Sequence, residues 1–229
     1  MESVPIYSTF EITLVNDSTY QRSIKVEGIF DTGCEPGCIM DMATARHLNI
    51  HKSKKVQIRI TFPLGNKTYS LMVDRTQLEF HDNTKKFQKY KCLIGLPLLK
   101  ILDQKNIIVR IDGVVPNNTK ISIPYCDPQL RVTDGQKSYS CFIDTGSPVQ
   151  VDAINHPSMD LATLGKELHL EYKGNRLVQI LSLGLSDSVD AKTPYDFILT
   201  QSIIQKLDDM GYICRTGPPA PPAVKPFRK

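Results

Sequence analysis

The chain is written twice, and that repetition limits its fold more than any other feature. "IFDTGCEPGC" (29–38) and "FIDTGSPVQV" (142–151) each set Asp-Thr-Gly directly after apolar residues. Downstream, "MDMAT" (40–44) answers "MDLAT" (159–163), and "TFPLGNKTYS" (61–70) answers "LEYKGNRLVQ" (170–179) around Gly65-Asn66 and Gly174-Asn175. Then "YKCLIGLPLLKILD" (90–103) lies over "YDFILTQSIIQKLD" (195–208), and "IIVR" (107–110) over "YICR" (212–215). Five matches in one order, with variable gaps between them, are the mark of a diverged duplicate.

Two lobes follow. Residues 1–113 form the N-terminal lobe, 114–120 ("VPNNTK" and its flank) a polar linker, 121–217 the C-terminal lobe and 218–229 a proline-rich tail unable to pack a core. Fifteen prolines, no tryptophan and many short Val/Ile/Thr/Tyr runs point to an all-β class. In the first lobe, 10–15 and 23–30 read as strands leading into Asp31. Residues 41–48 read as a short helix capped by Asp41, and 56–62 with 67–73 as a hairpin turning at "PLGN". Residues 76–80 and 87–94 read as further strands, 96–102 as a helix and 106–111 as a closing strand.

Two carboxylates on equivalent loops can meet across a pseudo-two-fold axis. Held close, both cannot ionise near neutrality, so they share one proton and can hold a water between them. One carboxylate takes the water's proton while the other donates to the scissile carbonyl, with no metal and no covalent intermediate. A threonine after each aspartate can bond across the axis, and a glycine lets the backbone pass close to a carboxylate.

On these motifs the sequence resembles the retropepsin-like aspartic peptidases, here as two lobes fused in one chain. The resemblance covers nearly everything but the tail. It rests on apolar-apolar-Asp-Thr-Gly in each lobe and on the apolar pair plus Gly95 before a helix in "CLIGLPLL". It implies two pseudo-symmetric closed β-barrel lobes with one or two short helices each and the active site between them. Asp31 and Asp144 would be the catalytic pair, Thr32 and Thr145 the cross-lobe clamp, and Gly33 and Gly146 the close-approach glycines. The hairpins turning at Gly65-Asn66 and Gly174-Asn175 would be substrate-binding flaps. Ser147 and the loops at Gly95 and Thr200 would support the site. In lobe two Thr200 stands where Gly95 does, and a β-branched side chain there is expected to crowd the aspartate loop.

The residue after the tripeptide differs, Cys34 against Ser147. A serine hydroxyl favours the charged form of a neighbouring carboxylate, whereas a thiol is a weak donor. Asp144 is therefore expected to carry the pair's charge and Asp31 the shared proton.

Cys34, Cys38, His47 and His51 form a rival C-x3-C…H-x3-H array. Its pairs stand closer together than in the common zinc finger, and the aspartate loop already claims Cys34, so no metal and no cofactor is expected. Cys34, Cys38, Cys92 and Cys141 read as small buried side chains, with redox sensitivity as the other reading.

The formal charge of +4 is modest, and the lysine-dense stretches 51–55 and 85–91 read as solvated edges rather than a nucleic-acid surface. No apolar run is long enough to span a membrane, and no secretory leader is evident. The expectation is a monomeric, cytoplasmic aspartic endopeptidase, or one housed in a virus-like particle if a retroelement encodes it. Its substrate would be an extended polypeptide, such as a polyprotein that includes the enzyme or a limited set of proteins. The alternative is an inactive peptide-binding or scaffold module on the same fold.

Overall fold

The computed structural model describes residues 1–15, 22–52, 55–82, 89–112, 122–147, 150–156, 166–185 and 194–216. The expected linker (114–120), the tail (218–229) and the "MDLAT" stretch lie outside them. The first lobe runs β1 (Glu2–Pro5), β2 (Tyr7–Leu14), β3 (Ser23–Phe30), β4 (Cys38–Asp41), α1 (Met42–His47), β5 (Gln57–Leu64), β6 (Lys67–Asp74), β7 (Leu78–His81), β8 (Cys92–Ile94), α2 (Leu96–Gln104) and β9 (Ile107–Arg110). The second runs β10 (Ser122–Pro124), β11 (Leu130–Thr133), β12 (Ser138–Ile143), β13 (Ala153–Asn155), β14 (Leu168–Tyr172), β15 (Asn175–Ile180), β16 (Leu183–Leu185), β17 (Phe197–Leu199), α3 (Gln201–Asp209) and β18 (Ile213–Arg215).

The molecule is mostly β, with one curled seven-stranded sheet per lobe. The strand orders, β6-β5-β2-β3-β8-β4-β7 and β15-β14-β11-β12-β17-β13-β16, are the same order in two copies. Each lobe also pairs its first and last strands in parallel, β1 with β9 and β10 with β18.

Period-two burial drives the curl. β2 buries Ser8, Phe10 and Ile12 and turns the alternate residues outward. Phe10, Phe30 and Phe62 meet in the first core, with ring centroids 5.2–6.1 Å apart. The helices follow local chemistry: Asp41 accepts from the Thr44 amide at 2.5 Å to cap α1, and Pro97 sits in the first turn of α2, where its missing N–H costs nothing.

Strand register tests the sequence superposition. Gly28 pairs with Cys92 and Cys141 with Phe197, so Cys92 matches Phe197, Gly95 matches Thr200 and Asp103 matches Asp208, as the sequence overlay has it. Two overlays need correcting. Cys38 opposite Ile94 and Ala153 opposite Leu199 put Asn155, four residues before Met159, at the place of Met40.

The hairpin turns also differ by one residue. In lobe one, Leu64 pairs with Lys67 and only Gly65 of the two central residues has positive φ (57°), the geometry of a type II′ turn. In lobe two, Tyr172 pairs with Asn175, and Lys173 and Gly174 both have positive φ (52° and 77°), as a type I′ turn requires. Asn175 is therefore the first residue of β15 rather than a turn residue.

β1 and β4 escaped the sequence reading because both are short and one ends in proline. The expected strand over 87–94 reduces to Cys92–Ile94, with residues 83–88 outside the described set.

The lobes are joined at a buried polar seam where β9 and β18 meet. Arg215 of β18 reaches into lobe one, with Nε donating to Asp103 Oδ1 at 2.6 Å and Nη2 to the Asp103 carbonyl at 3.1 Å. Reciprocally, Arg110 Nη2 of β9 lies 3.2 Å from Asp208 Oδ2 in lobe two. The two pairs are the same contact seen from either lobe, as an isologous two-fold interface demands.

Candidate active site

The apolar residues Ile29-Phe30 and Phe142-Ile143 end strands β3 and β12, and the chain then turns at once. The Asp31 amide donates to the Ile94 carbonyl at 2.9 Å and the Asp144 amide to the Leu199 carbonyl at 2.8 Å, so each aspartate is still held by the neighbouring strand. Turn bonds from the Cys34 amide to the Asp31 carbonyl (3.2 Å) and from the Ser147 amide to the Asp144 carbonyl (3.3 Å) close the two loops.

The threonines cross the axis. Thr32 Oγ1 donates to the Ile143 carbonyl at 2.7 Å and accepts from the Thr145 amide at 2.9 Å. Thr145 Oγ1 donates to the Phe30 carbonyl at 2.6 Å and accepts from the Thr32 amide at 2.9 Å. Four bonds thus satisfy two buried hydroxyls, two amides and two carbonyls at the junction of the lobes.

Each glycine faces the other lobe's aspartate. A Cβ at Gly33 would lie 2.7 Å from Asp144 Oδ1, and one at Gly146 would collide with the Asp31 carboxyl. A side chain at either position would push the carboxylates apart. With hydrogen there, the Gly33 amide reaches Asp31 Oδ1 at 3.0 Å and Asp144 Oδ1 at 3.2 Å, and the Gly146 amide reaches Asp144 Oδ1 at 2.8 Å.

Asp31 is fully buried and hydrogen-bonds the Asp144 side chain. Burial and the negative charge of Asp31 push the Asp144 carboxyl up to about 7, against the pull of the Ser147 hydroxyl and the Gly146 amide. The expected serine bond is present, from Ser147 Oγ to Asp144 Oδ2 at 2.7 Å, while Cys34 Sγ donates to the Pro36 carbonyl at 3.6 Å. The serine is nevertheless outweighed at Asp144. Asp144 is therefore the member that holds a proton near neutrality, against the expectation that it carries the pair's charge.

Behind the aspartates, the expected crowding by Thr200 does not occur. Thr200 adopts φ −97° and ψ −179°, nearly the values of Gly95 (−91° and 178°). A Cβ at Gly95 would strike the Pro36 carbonyl and lie 2.6 Å from the Cys34 carbonyl. Lobe two avoids this with a longer loop. The Gly95 amide bonds the Gly37 carbonyl, six positions after Asp31, whereas the Thr200 amide bonds the Asp152 carbonyl, eight positions after Asp144. The longer path presents the Val151 and Asp152 carbonyls as acceptors for the Thr200 hydroxyl. That hydroxyl also caps α3 by accepting from the Ser202 amide at 3.3 Å.

Asp152 anchors the far end of this loop and was not singled out by the sequence. It accepts from Lys206 Nζ and Ser202 Oγ, both at 2.6 Å, and from the Leu181 amide at 2.7 Å. Gln201, Tyr7 and the Arg–Asp seam were also missed. The seam had a visible signal, since Asp103/Asp208 and Arg110/Arg215 recur at matched places in both repeats.

The structure thus brings Asp31, Asp144, Thr32, Thr145, Gly33, Gly146 and Ser147 together, with Gly95 and Thr200 packed behind. It does not join Gly65, Asn66, Gly174 or Asn175 to them. A Cβ added at either turn glycine would meet no atom of the described residues within 4 Å, so neither tip packs there against them. Cys34 and Cys38 part company, the Cys38 thiol lying 3.5 Å from Cys92 Sγ. Among the described residues no group of three or more His, Cys, Asp or Glu is placed to hold a metal ion. No protein-family model matches the chain, and no curated protein sequence matches it.

Proposed function

We propose that the chain is an aspartic endopeptidase, a retropepsin-like enzyme whose two curled sheets are the barrel lobes of a single-chain pseudodimer. The observation that carries this reading is the meeting of a buried and a half-buried carboxyl on duplicated Asp-Thr-Gly loops, in mutual hydrogen-bond contact and clamped by reciprocal threonines.

A water between the carboxyls gives a proton to the ionised one and attacks the scissile carbonyl, whose oxygen takes the proton held by the other. The tetrahedral diol then collapses: one hydroxyl returns its proton to the carboxyl that gave one up, the carboxyl that gained the water's proton passes it to the departing nitrogen, and the C–N bond breaks. The Gly33 and Gly146 amides and the Ser147 hydroxyl hold the carboxyls in place throughout. The substrate lies extended between the lobes, with the β5–β6 and β14–β15 hairpins as flaps adding backbone hydrogen bonds. A polyprotein or a limited set of proteins fits such a cleft, and one chain supplies both halves of the site. No helix among the described residues is long and apolar enough to cross a membrane.

The other reading, a cleft that holds a peptide without cutting it, drew on Thr200. With Thr200 in the backbone conformation of Gly95, that support is gone. The test is incubation with a mixed peptide library from acidic to neutral pH, beside Asp31→Asn and Asp144→Asn. Cleavage lost in both variants is the expected result. No cleavage at any pH, or cleavage that survives both changes, overturns the proposal.

A further inference from the structure

Gln201 opens α3 with its side chain 1% exposed, in lobe two directly behind the Asp144 loop. Its Nε2 donates to the Thr145 carbonyl at 2.6 Å and to Tyr7 Oη at 2.6 Å. The Thr145 carbonyl and the Gly146 N–H belong to one peptide unit, and that N–H donates to Asp144 Oδ1 at 2.8 Å. An unbroken row therefore runs from Tyr7 through Gln201 and the peptide to the carboxyl. Tyr7 belongs to lobe one. Its ring stacks on Tyr90 with centroids 5.1 Å apart and planes 15° apart, and Lys89 Nζ lies 5.1 Å from the Tyr90 centroid.

The row has no counterpart for the other aspartate. Gly95 matches Thr200, so Leu96 stands where Gln201 does, and leucine donates nothing to the Thr32–Gly33 peptide. By the same register Cys126 stands where Tyr7 does, since the Ile6 amide bonds the Arg110 carbonyl as the Tyr125 amide bonds the Arg215 carbonyl.

We infer that Gln201 is a positioning residue for Asp144, acting through the Thr145–Gly146 peptide and braced by Tyr7 from the opposite lobe. A donor on a peptide carbonyl polarises the amide and strengthens its N–H as a donor in turn. It also fixes the peptide plane, so the Gly146 N–H stays aimed at Oδ1. Both effects favour the ionised form of Asp144. They act together with the Ser147 hydroxyl and the Gly33 amide against the Asp31 carboxyl, which faces Asp144 from lobe one. Tyr90 and Lys89 stand at the outer end of the row. This deepens the peptidase reading by giving the two carboxyls unequal second partners, and it rests on that reading for its bearing on turnover.

The test is site-resolved NMR titration of the Asp144 carboxyl carbon in the full chain, which needs no turnover. Gln201→Met keeps the length of the side chain and removes the donor. Its Asp144 midpoint is expected to rise by roughly half a pH unit, and the alkaline limb of kcat to move the same way with KM unchanged. Tyr7→Phe keeps the Gln201 bond to Thr145 and is expected to give a smaller rise. An unchanged or lowered midpoint in folded Gln201→Met overturns the inference. Should that variant fail to fold, an unchanged midpoint in Tyr7→Phe overturns it. A parent chain that cleaves no peptide sinks the peptidase reading separately, since the titration still reports whether Gln201 sets the Asp144 carboxyl.

Discussion

Ser147 Oγ donates to Asp144 Oδ2 at 2.7 Å, whereas Cys34, at the same place in the other lobe, gives its thiol to the Pro36 carbonyl. One carboxylate of the pair thus has a hydroxyl partner from its own loop. Ser147→Ala removes a bond that favours the charged form of Asp144, whose carboxyl already stands at about 7, so the upper apparent pKa of the pH–rate profile should rise, by about one unit. An alkaline limb that stays in place contradicts the assignment.

Thr145→Val should cost stability. It strands the Phe30 carbonyl and the Thr32 amide in a buried site, at about 1–3 kcal/mol for each unsatisfied group. Thr145→Ser keeps both bonds and should stay close to the parent. Urea unfolding curves for the two variants decide it, and equal midpoints would show that the cross-lobe hydroxyl is idle.

The two seam arginines should differ. Asp103 accepts from Arg215 and from Thr216 Oγ1 at 3.1 Å, whereas among the described residues neither Asp208 oxygen has a hydrogen-bond partner beyond its 3.2 Å ion-pair contact with Arg110. Arg215→Ala takes the guanidinium from the buried Asp103 carboxylate and should cost about 3–5 kcal/mol. Arg110→Ala should cost less, because Asp208, pushed up to about 7 chiefly by burial, can shed its charge by taking a proton. Denaturation of both variants near neutral pH tests the order.

Asp144 and Asp208 both hold protons that the unfolded chain has released at mildly acidic pH, since their folded values of about 7 lie above the ordinary carboxylate range. Stability from these groups is full below that ordinary range and is lost as pH rises through about 7. Asp152 acts in the opposite sense. Its burial is outweighed by Lys206 and Ser202, so its contribution fades only in stronger acid. Denaturant midpoints should therefore be higher near pH 5.5 than near pH 8, on the order of a unit either side of the transition, and Asp208→Asn should narrow the difference. A higher midpoint on the alkaline side contradicts this.

Of the six cysteines, Cys126 is exposed and the other five are buried. Burial pushes Cys141 up to about 12, and the Cys92 thiol together with burial raises Cys38 well above the usual thiol range. A thiol reagent should titrate one group rapidly in the native chain and the rest only on unfolding. Fast native modification of Cys38 or Cys92 would show that the β4–β8 pairing opens readily.

The duplication made the two-lobe β fold and the meeting of Asp31 with Asp144 legible in the sequence, because Asp-Thr-Gly after apolar strand ends carries a local geometry. What stayed hidden depended on spacing between elements. The consequence of Thr200 turned on two extra residues in the Asp144 loop, which a comparison of single positions does not weigh. The Gly174-Asn175 match slipped by one because type I′ and type II′ turns place their glycines at different central positions. Gln201 and Tyr7 are 194 residues apart, and nothing local to either announces the contact.

Arg110 with Asp208 and Arg215 with Asp103 keep the pattern of two equal partners, yet the chain that contains them is single. In an assembly of identical subunits every substitution arrives twice, and a change that suits one carboxylate is imposed on the other. Here each position can drift alone. One aspartate has beside it a hydroxyl, a longer loop and a buried amide, while the other has a thiol, a glycine and a leucine. Tethering has turned a symmetric pair into two sites that selection can shape separately.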